Sequence, residues 1–161
     1  MKKVFVAMSG GVDSSLAAAL LKKRGFNIVG VYMKPYQPKD LSVDCLWEQD
    51  REEAARVAAK LNIPFLTWDF SKKYEKEVVK YMVQGYKSGI TPNPDVMCNK
   101  YIKFGLFLDK ALKNSADFIA TGHYACTKNG ALLKAKDGNK DQTYFLWTLT
   151  QKQLKYSLFP I

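Results

Sequence analysis

The chain has 161 residues, of which 47% are hydrophobic, 13% aromatic and 25% charged. This length suits a single domain, and the composition is that of a globular protein, which excludes a disordered, collagen-like or repeat architecture. No apolar run reaches the roughly 20 residues that span a bilayer, and the apolar stretch at 4–8 ends at Ser9, short of the ~7–15 residues of an export signal. A soluble, cytoplasmic protein is therefore expected.

Short continuous apolar runs alternate with longer helical patterns along the chain. Strands are predicted at 4–8, 27–33, 65–70 and 117–121, and helices at 14–24, 46–61, 72–87, 99–114 and 144–158. In the first helix, Leu16, Ala19 and Leu20 share one face. Residues 88–97 contain a glycine and two prolines and are predicted to form a loop, and Asn129-Gly130 indicates a small β-hairpin near residues 123–135. This alternation predicts an α/β fold: a parallel, doubly wound sheet with helices on both faces.

The net charge of +10 lies mostly in the second half of the chain. Residues 1–70 contain ten basic and eight acidic side chains, whereas residues 71–161 contain fifteen and seven. The later half is therefore the candidate surface for a polyanion. Only three of the basic residues are arginines, the type that makes forked contacts with phosphates and bases, so a lysine-rich solvated surface is the alternative explanation.

The three cysteines, Cys45, Cys98 and Cys126, include no CxxC pair, and the chain has one histidine, His123. A zinc site built from local Cys/His pairs is therefore not expected, and no metal site made by the protein alone is predicted. An odd number of cysteines in a cytoplasmic chain leaves free thiols.

The first strand-to-helix turn is where a parallel sheet of this kind binds its ligand. The turn reads Ser9-Gly10-Gly11-Val12-Asp13-Ser14-Ser15. Two glycines let backbone N–H groups approach an oxyanion, the serines add hydroxyl donors, and the helix offers its positive end. A phosphate-binding loop is predicted, without the Lys-Ser/Thr of a P-loop NTPase or the GxGxxG of a dinucleotide-binding fold. The alternative is a turn that only caps the helix, with Asp13 at its dipole.

The heptapeptide SGGVDSS after a first strand resembles the PP-loop of the ATP pyrophosphatases, the adenine nucleotide alpha-hydrolase-like enzymes. Three later segments are similar to motifs of one family in that group, the tRNA-specific 2-thiouridylases: residues 89–105, with the string TPNPDVMCN, then TGHYA at 121–125 and KDQTYFLW at 140–147. The resemblance covers essentially the whole chain. The TPNPDVMCN string is specific, because other PP-loop enzymes such as argininosuccinate, GMP and NAD synthetases do not share it.

The resemblance implies 2-thiolation of tRNA. In that reaction AMP from ATP activates the 2-carbonyl oxygen of a wobble uridine, pyrophosphate leaves, and sulfur replaces the oxygen. The implied cofactors are ATP, Mg²⁺ bound with ATP, and sulfur from a persulfide donor. The implied partners are a tRNA with a wobble uridine and a sulfur-relay protein or cysteine desulfurase, and neither DNA nor a membrane.

The family motifs also imply which residues bind ATP. These are Ala7, Met8, Ser9, Gly10, Gly11, Val12, Asp13, Ser14, Met33 and Gly122. Ala7 stands where the family usually has glycine. Read from the residues alone, Met33 also suits a strand core and Gly122 a tight turn.

The implied catalytic residues are Cys98 as nucleophile, Asp95 as acid or base, and Asp13 near the magnesium. Cys98 is predicted to lie just before a helix, whose dipole would lower the thiol pKa, and the alternative is a small buried hydrophobic residue. A lone histidine is commonly structural, so His123 is left outside the catalytic set. The implied tRNA contacts are Asn93, Pro94, Asp95, Lys140, Asp141 and Gln142, of which the last three also suit an exposed polar turn.

One departure from the family concerns its second cysteine, which carries the persulfide and follows the Lys-Asp-Gln segment. No cysteine follows Cys126 up to Ile161, and the family's central tRNA-binding and C-terminal β domains have no counterpart. Residues 1–161 are therefore expected to form a single PP-loop ATP-binding catalytic domain, either part of a longer protein or a shortened form. Two alternatives stay open: another PP-loop adenylating ligase or synthetase, and a non-catalytic module that binds ATP or tRNA.

Overall fold

The protein is described here by a computed structural model that covers residues 1–38 and 47–161. Its strands are β1 (Lys3–Ala7), β2 (Asn27–Lys34), β3 (Phe65–Asp69), β4 (Phe118–Ala120), β5 (Cys126–Lys128), β6 (Ala131–Leu133) and β7 (Ser157–Leu158). Five of them form a parallel sheet in the order β3-β2-β1-β4-β7. β2 and β3 are added on one side of β1, and β4 and β7 on the other. The strand order therefore reverses between β1 and β4, and the switch point of the sheet lies at the carboxyl ends of these two strands.

The helices surround this sheet. They are α1 (Val12–Lys23), α2 (Trp47–Lys60), α3 (Ser71–Tyr74), α4 (Lys80–Lys87), α5 (Pro94–Met97), α6 (Leu108–Lys113) and α7 (Gln151–Lys155). Two π-helical segments, Glu75–Val79 and Cys98–Phe107, continue the α-helices on either side of them. Among the described residues, no helix has both the length and the apolar character needed to cross a membrane.

Each face of the sheet carries its own hydrophobic core. Val4 and Val6 of β1 point to one face and pack with Ala18, Leu21 and other residues of α1 and α2. The residue between them, Phe5, points to the other face, where the core includes Trp68, Phe104, Phe107 and Ala111. Because both faces of β1 are buried, its sequence is continuously apolar. The predicted parallel sheet with helices on both faces is confirmed, and so is the hairpin, formed by β5 and β6 around Asn129-Gly130.

The predicted inner face of the first helix is wrong. Leu16 is 43% exposed, whereas the buried residues of α1 are Ser14, Ala17, Ala18 and Leu21. The loop determines this orientation, because Ser14 turns inward and its Oγ accepts a hydrogen bond from Ser9 N at 3.1 Å. Residues 17, 18 and 21 follow Ser14 at helical spacing, and two of them are alanines, which allow α1 to lie close to the sheet.

The predicted loop at 88–97 is too long by four residues. It ends at Asn93, whose Oδ1 accepts a hydrogen bond from Val96 N at 3.2 Å, and Pro94 occupies the first helical position, where its missing N–H has no cost. Helical structure therefore continues from 94 to 113 through α5, the π-helical segment and α6. Cys98 lies inside this run rather than before it.

The predicted helix at 144–158 is also wrong. Its residues form a short 3₁₀ turn at Thr143–Phe145, then α7, which begins with a capping box between Thr150 and Gln153, and finally β7. The two residues of β7 pair with β4 and extend the sheet, an event that no local pattern indicates. The predicted start of the second helix at residue 46 and Cys45 lie outside the described residues.

The position of the buried face of α1 can be tested with two matched substitutions on the same helix. Leu21 is 2% exposed and packs in the core, so Leu21→Ala should lower the free energy of unfolding by about 2–5 kcal/mol. Leu16→Ala should lower it by about 1 kcal/mol or less, because its side chain is largely solvated. Urea denaturation measures both, and equal losses would contradict this orientation of the helix.

Candidate active site

A cleft of about 470 Å³ opens at the carboxyl ends of β1, β2 and β4. This is the switch point of the sheet, and the volume suits a nucleotide-sized ligand. Nine of the residues assigned from the sequence line it: Ala7, Met8, Ser9, Asp13, Ser14, Met33, Cys98, Gly122 and Gln142. The fold therefore brings the predicted phosphate loop, two strand ends and the candidate nucleophile to one cavity.

The glycine-rich loop packs tightly against the backbone of Asp50, which leaves no room for a side chain at Gly10. Its φ of +87° favours glycine, and a Cβ there would lie 2.4 Å from the carbonyl oxygen of Asp50. Serine hydroxyls close the loop, since Ser14 Oγ and Ser15 Oγ donate to Gly11 O at 3.2 and 2.8 Å. The loop is thus held in one conformation before any ligand arrives.

The first turn of α1 has free backbone donors. Gly11 is its N-cap and, within the described residues, no capping side chain accepts a hydrogen bond from the turn, although Gly11 N itself donates to Ser9 Oγ at 3.3 Å. Asp13, on the first turn, uses its carboxylate differently: Tyr124 Oη donates to Asp13 Oδ1 at 3.0 Å. Asp13 does lie in the first turn, where its charge also suits the helix dipole, so the alternative of a turn that only caps the helix stays open. The N–H groups that no side chain caps suit an anionic ligand as well.

The segment after β4 packs directly against this turn. A Cβ on Gly122 would lie 2.7 Å from both Asp13 C and Ser14 N, so only glycine permits the approach. The close contact explains how residue 122 reaches the cleft, and it also brings Tyr124 within reach of Asp13.

His123 lines the cleft as well, although no sequence pattern separates it from a structural histidine. Its Nδ1 is 2.8 Å from Thr121 Oγ1, and its ring packs against Phe104 and Phe159. Burial, and after it the charge of Lys103, lowers the pKa of His123 to about 3. The ring is therefore neutral at physiological pH.

Cys98 lines the cleft with its thiol half-buried. Burial raises its pKa above the ordinary thiol value, Lys103 acts in the opposite direction, and Asp95 raises the pKa further. The prediction of a lowered pKa is wrong, because burial has the largest effect on the thiol. The helical run also begins at Pro94, so Cys98 lies one turn inside it and not at its N-terminus. Lys103 is five residues after Cys98, the spacing at which a π-helix closes its hydrogen bonds.

Other predicted residues lie outside the cleft lining. Asn93 caps α5 through its side chain, Pro94 starts it, and Asp95 is exposed. Asp141 accepts hydrogen bonds from Ala135 N and from the backbone and hydroxyl of Thr143. Its neighbour Gln142 does reach the cleft and bonds to Tyr124. Gly10, Gly11 and Val12 belong to the loop but do not line the cavity.

Sequence reasoning missed several cleft residues that supply its charge and aromatic surface. Lys34 follows Met33 at the end of β2, and Lys103 lies in the π-helical segment, so two cations face the cavity. Burial raises the pKa of Tyr74, and the negative forms of Cys98 and Asp95 raise it further, which places its phenol beside both groups. The other missed residues are Tyr32, Pro35, Asp50, Phe70, Ile102 and Thr121.

The cleft offers few protein ligands for Mg²⁺. Within the described residues, no three His, Cys, Asp or Glu side chains are grouped as a metal site. Two carboxylate residues, Asp13 and Asp50, do line the cleft. Mg²⁺ commonly uses one or two protein carboxylates together with substrate phosphates and water, so these residues suit a metal that arrives with a nucleotide.

A family model described as the tRNA methyl transferase HUP domain matches residues 2–161. The chain belongs to this family. It is 52% identical over 164 residues to the tRNA-specific 2-thiouridylase MnmA of Lactobacillus gasseri, covering 99% of the chain and 44% of that protein. It is 48% identical over 171 residues to the MnmA of Christiangramia forsetii, covering 100% and 43%. These matches confirm the resemblance to 2-thiouridylases, and the chain spans less than half the length of these relatives.

Two solved structures share the fold. One is a predicted subunit of tRNA methyltransferase from Methanocaldococcus jannaschii, with a TM-score of 0.56, 18% identity, and coverage of 99% of this chain and 68% of that one. The other is NMN synthetase from Francisella tularensis, with a TM-score of 0.52, 18% identity, and coverage of 96% and 62%. At this identity the likeness concerns the architecture alone.

The opposed effects on Cys98 predict how its reactivity depends on pH. In a chain carrying Cys45→Ser and Cys126→Ser, the midpoint of the pH–alkylation profile should be higher in the folded protein than in urea, because burial disfavours the thiolate. Asp95→Asn should lower the midpoint and Lys103→Met should raise it, each by up to about one unit. Iodoacetamide kinetics followed by mass spectrometry measures the profile. A folded midpoint at or below the unfolded one would contradict this electrostatic account.

Proposed function

We propose that this chain is the PP-loop ATP-binding catalytic domain of an enzyme that thiolates tRNA, a tRNA-uridine 2-sulfurtransferase. The observation that carries the proposal is the single cleft that joins the glycine-rich loop to Cys98. The 2-thiouridylase relatives, which are 52% and 48% identical to this chain over nearly its whole length, support the proposal. The domain would occupy residues 1–161, with activation of the uridine and attack by sulfur in one cavity.

In this proposal the loop binds the phosphates of ATP. Backbone N–H groups of Gly10, Gly11 and Val12 and the hydroxyls of Ser9 and Ser14 would donate to the oxyanions, Gly11 N and the two hydroxyls in exchange for their present bonds within the loop. The N-terminus of α1 would add its dipole. Lys34 and Lys103 add two positive charges to the cavity. The bond from Ser9 N to Ser14 Oγ and the bond from Ser15 Oγ to Gly11 O use none of these donors, so they can keep the backbone of the loop in shape when the ligand binds.

The rest of the nucleotide would lie along the strand ends. Ala7 and Met8 end β1 and begin the loop, and Met33 lines the cleft near the end of β2, where its side chain offers an apolar contact for the adenine. Gly122 completes the wall, since the absence of a Cβ there lets the chain approach α1. Asp13 would bind Mg²⁺, which neutralises the phosphates and stabilises the leaving pyrophosphate when bound.

The tRNA would approach from the side of Cys98. Asn93, Pro94 and Asp95 form the exposed start of α5, one turn before the cysteine, and Lys140, Asp141 and Gln142 form a second rim segment beside Tyr124. The uridine would then face the Cys98 thiol, with Asp95 as the acid or base and Lys103 favouring the thiolate. A persulfide donor, either a sulfur-relay protein or a cysteine desulfurase, would supply the sulfur. The outer sulfur of the persulfide would bond to C2 of the uridine as AMP leaves with the oxygen, and the Cys98 thiolate would then attack the donor's inner sulfur. That attack breaks the S–S bond, leaves the thiocarbonyl on the uridine and forms a disulfide between Cys98 and the donor.

Release of pyrophosphate from Mg-ATP tests the activation step. The purified chain should release pyrophosphate, and tRNA lacking the thio group should raise the rate, because the uridine oxygen is the acceptor of AMP. Asp13→Asn should lower the rate at least about ten-fold, through the loss of a charge that supports the metal. Asp109→Asn, the same substitution at an exposed position on α6, should leave it unchanged.

Cys98→Ser separates the two chemical steps, since it should retain pyrophosphate release while forming no 2-thiouridine. Pyrophosphate release that ignores tRNA but responds to a small carboxylate would instead identify an adenylating ligase or synthetase. Nucleotide binding without any release, with or without tRNA, would overturn the catalytic proposal for this chain and leave a binding module.

A further inference from the structure

Among the residues that the structure describes, Tyr124 alone restrains the Asp13 carboxylate through a hydrogen bond. Asp13 is exposed on the first turn of α1, and Tyr124 Oη donates to its Oδ1 at 3.0 Å. In the described part of the chain, no ion pair and no other side-chain hydrogen bond contacts this carboxylate. An unrestrained aspartate samples several staggered rotamers, so this one bond selects the orientation in which Asp13 faces the cleft.

Tyr124 is itself held by the rim segment. Its backbone N donates to Gln142 Oε1 at 3.0 Å, and its carbonyl oxygen accepts from Gln142 N at 2.9 Å. Lys140 Nζ lies over the tyrosine ring, 5.2 Å from the centroid. The hydrogen bond from Thr143 N is the largest effect that lowers the pKa of Asp141 below its usual value. The charged carboxylate of Asp141 thereby stabilises the segment through its hydrogen bonds.

The close approach of Gly122 makes this arrangement specific. The backbone of residue 122 touches Asp13 and Ser14. Tyr124 follows two residues later, so this contact limits the distance between its phenol and the Asp13 carboxylate. The Lys140–Gln142 segment, the tyrosine ring and the carboxylate therefore form one continuous set of contacts. It runs from the rim proposed for tRNA to the turn proposed for the nucleotide and its metal.

We propose that Tyr124 is a positioning residue that orients Asp13 for the metal-bound nucleotide and is itself oriented by the Lys140–Gln142 segment. The inference rests on the proposed function, because that function assigns the metal-bound nucleotide as the group that Asp13 faces. Tyr124 acts through Asp13 and needs no contact with the reacting atoms. Its hydroxyl matters only while the carboxylate is present and a metal accompanies the nucleotide.

Tyr124→Phe removes the hydroxyl and keeps the ring and both main-chain contacts with Gln142, so the variant should fold. The probe is the α,β-methylene analogue of ATP, which cannot be cleaved between the α and β phosphates, titrated calorimetrically with Mg²⁺ or with EDTA. With Mg²⁺ the dissociation constant should rise about five-fold, the effect of one ordinary hydrogen bond, and with EDTA it should change less than about two-fold. Tyr86→Phe on exposed α4 is the matched control and should change neither value.

A double-mutant cycle with Asp13→Asn tests the route of the effect. If Tyr124 acts through Asp13, Tyr124→Phe adds nothing in the Asp13→Asn background. An equal loss in both backgrounds would overturn the proposal, because the tyrosine would then contribute on its own. Unchanged Mg²⁺-dependent affinity in Tyr124→Phe would overturn it as well.

A second measurement keeps the inference separate from the proposed function. Three-bond NMR couplings report the χ1 rotamer of Asp13 without any ligand, and they should show one dominant rotamer in the native chain and averaging in Tyr124→Phe. If the native chain fails to bind the analogue, the nucleotide proposal fails while the couplings still decide the role of Tyr124. Identical couplings in both proteins would overturn the positioning role.

Discussion

The whole site depends on the contact between the end of β4 and the first turn of α1. Gly122 lies so close to Asp13 and Ser14 that a Cβ there would be 2.7 Å from their backbone atoms. This contact closes one side of the cleft and brings His123, Tyr124 and Gln142 to the loop. A parallel sheet places the loops after its strands at one edge. The close contact between Gly122 and α1 is what lets groups from the loop after β1 and from the segment after β4 face one ligand.

The second organising feature is the π-helical segment that starts at Cys98. It places Lys103 where its charge acts on both the thiol and the His123 ring. Desolvation favours the neutral thiol of the half-buried Cys98, while Lys103 favours the thiolate and Asp95 opposes it. Because each of these charges acts across a short, poorly solvated distance, a small change of charge near the cleft changes the fraction of Cys98 that is present as thiolate. The same burial keeps the histidine neutral.

Much of the architecture follows from sequence patterns because they reflect burial on both faces of the sheet. The four continuous apolar runs are strands, and the predicted hairpin is present at Asn129-Gly130. The errors have physical causes. Leu16 fits a helical stripe, yet a loop hydrogen bond rotates α1 so that Ala17, Ala18 and Leu21 are buried instead. The last strand, β7, has two residues and exists only because β4 offers an unpaired edge, so periodicity could not predict it.

By itself the sequence determined the fold class, the family and the residues of the glycine-rich loop. Each of these follows from short contiguous segments, whose residue types indicate it without any knowledge of distant contacts. Tertiary structure alone decided which distant residues share the cleft and how they affect one another. Lys34, Lys103 and His123 reach it from three elements, and the bond from Tyr124 to Asp13 joins positions 111 residues apart. The thiol pKa of Cys98 depends on burial and on the positions of the Lys103 and Asp95 charges, and only the folded chain decides these.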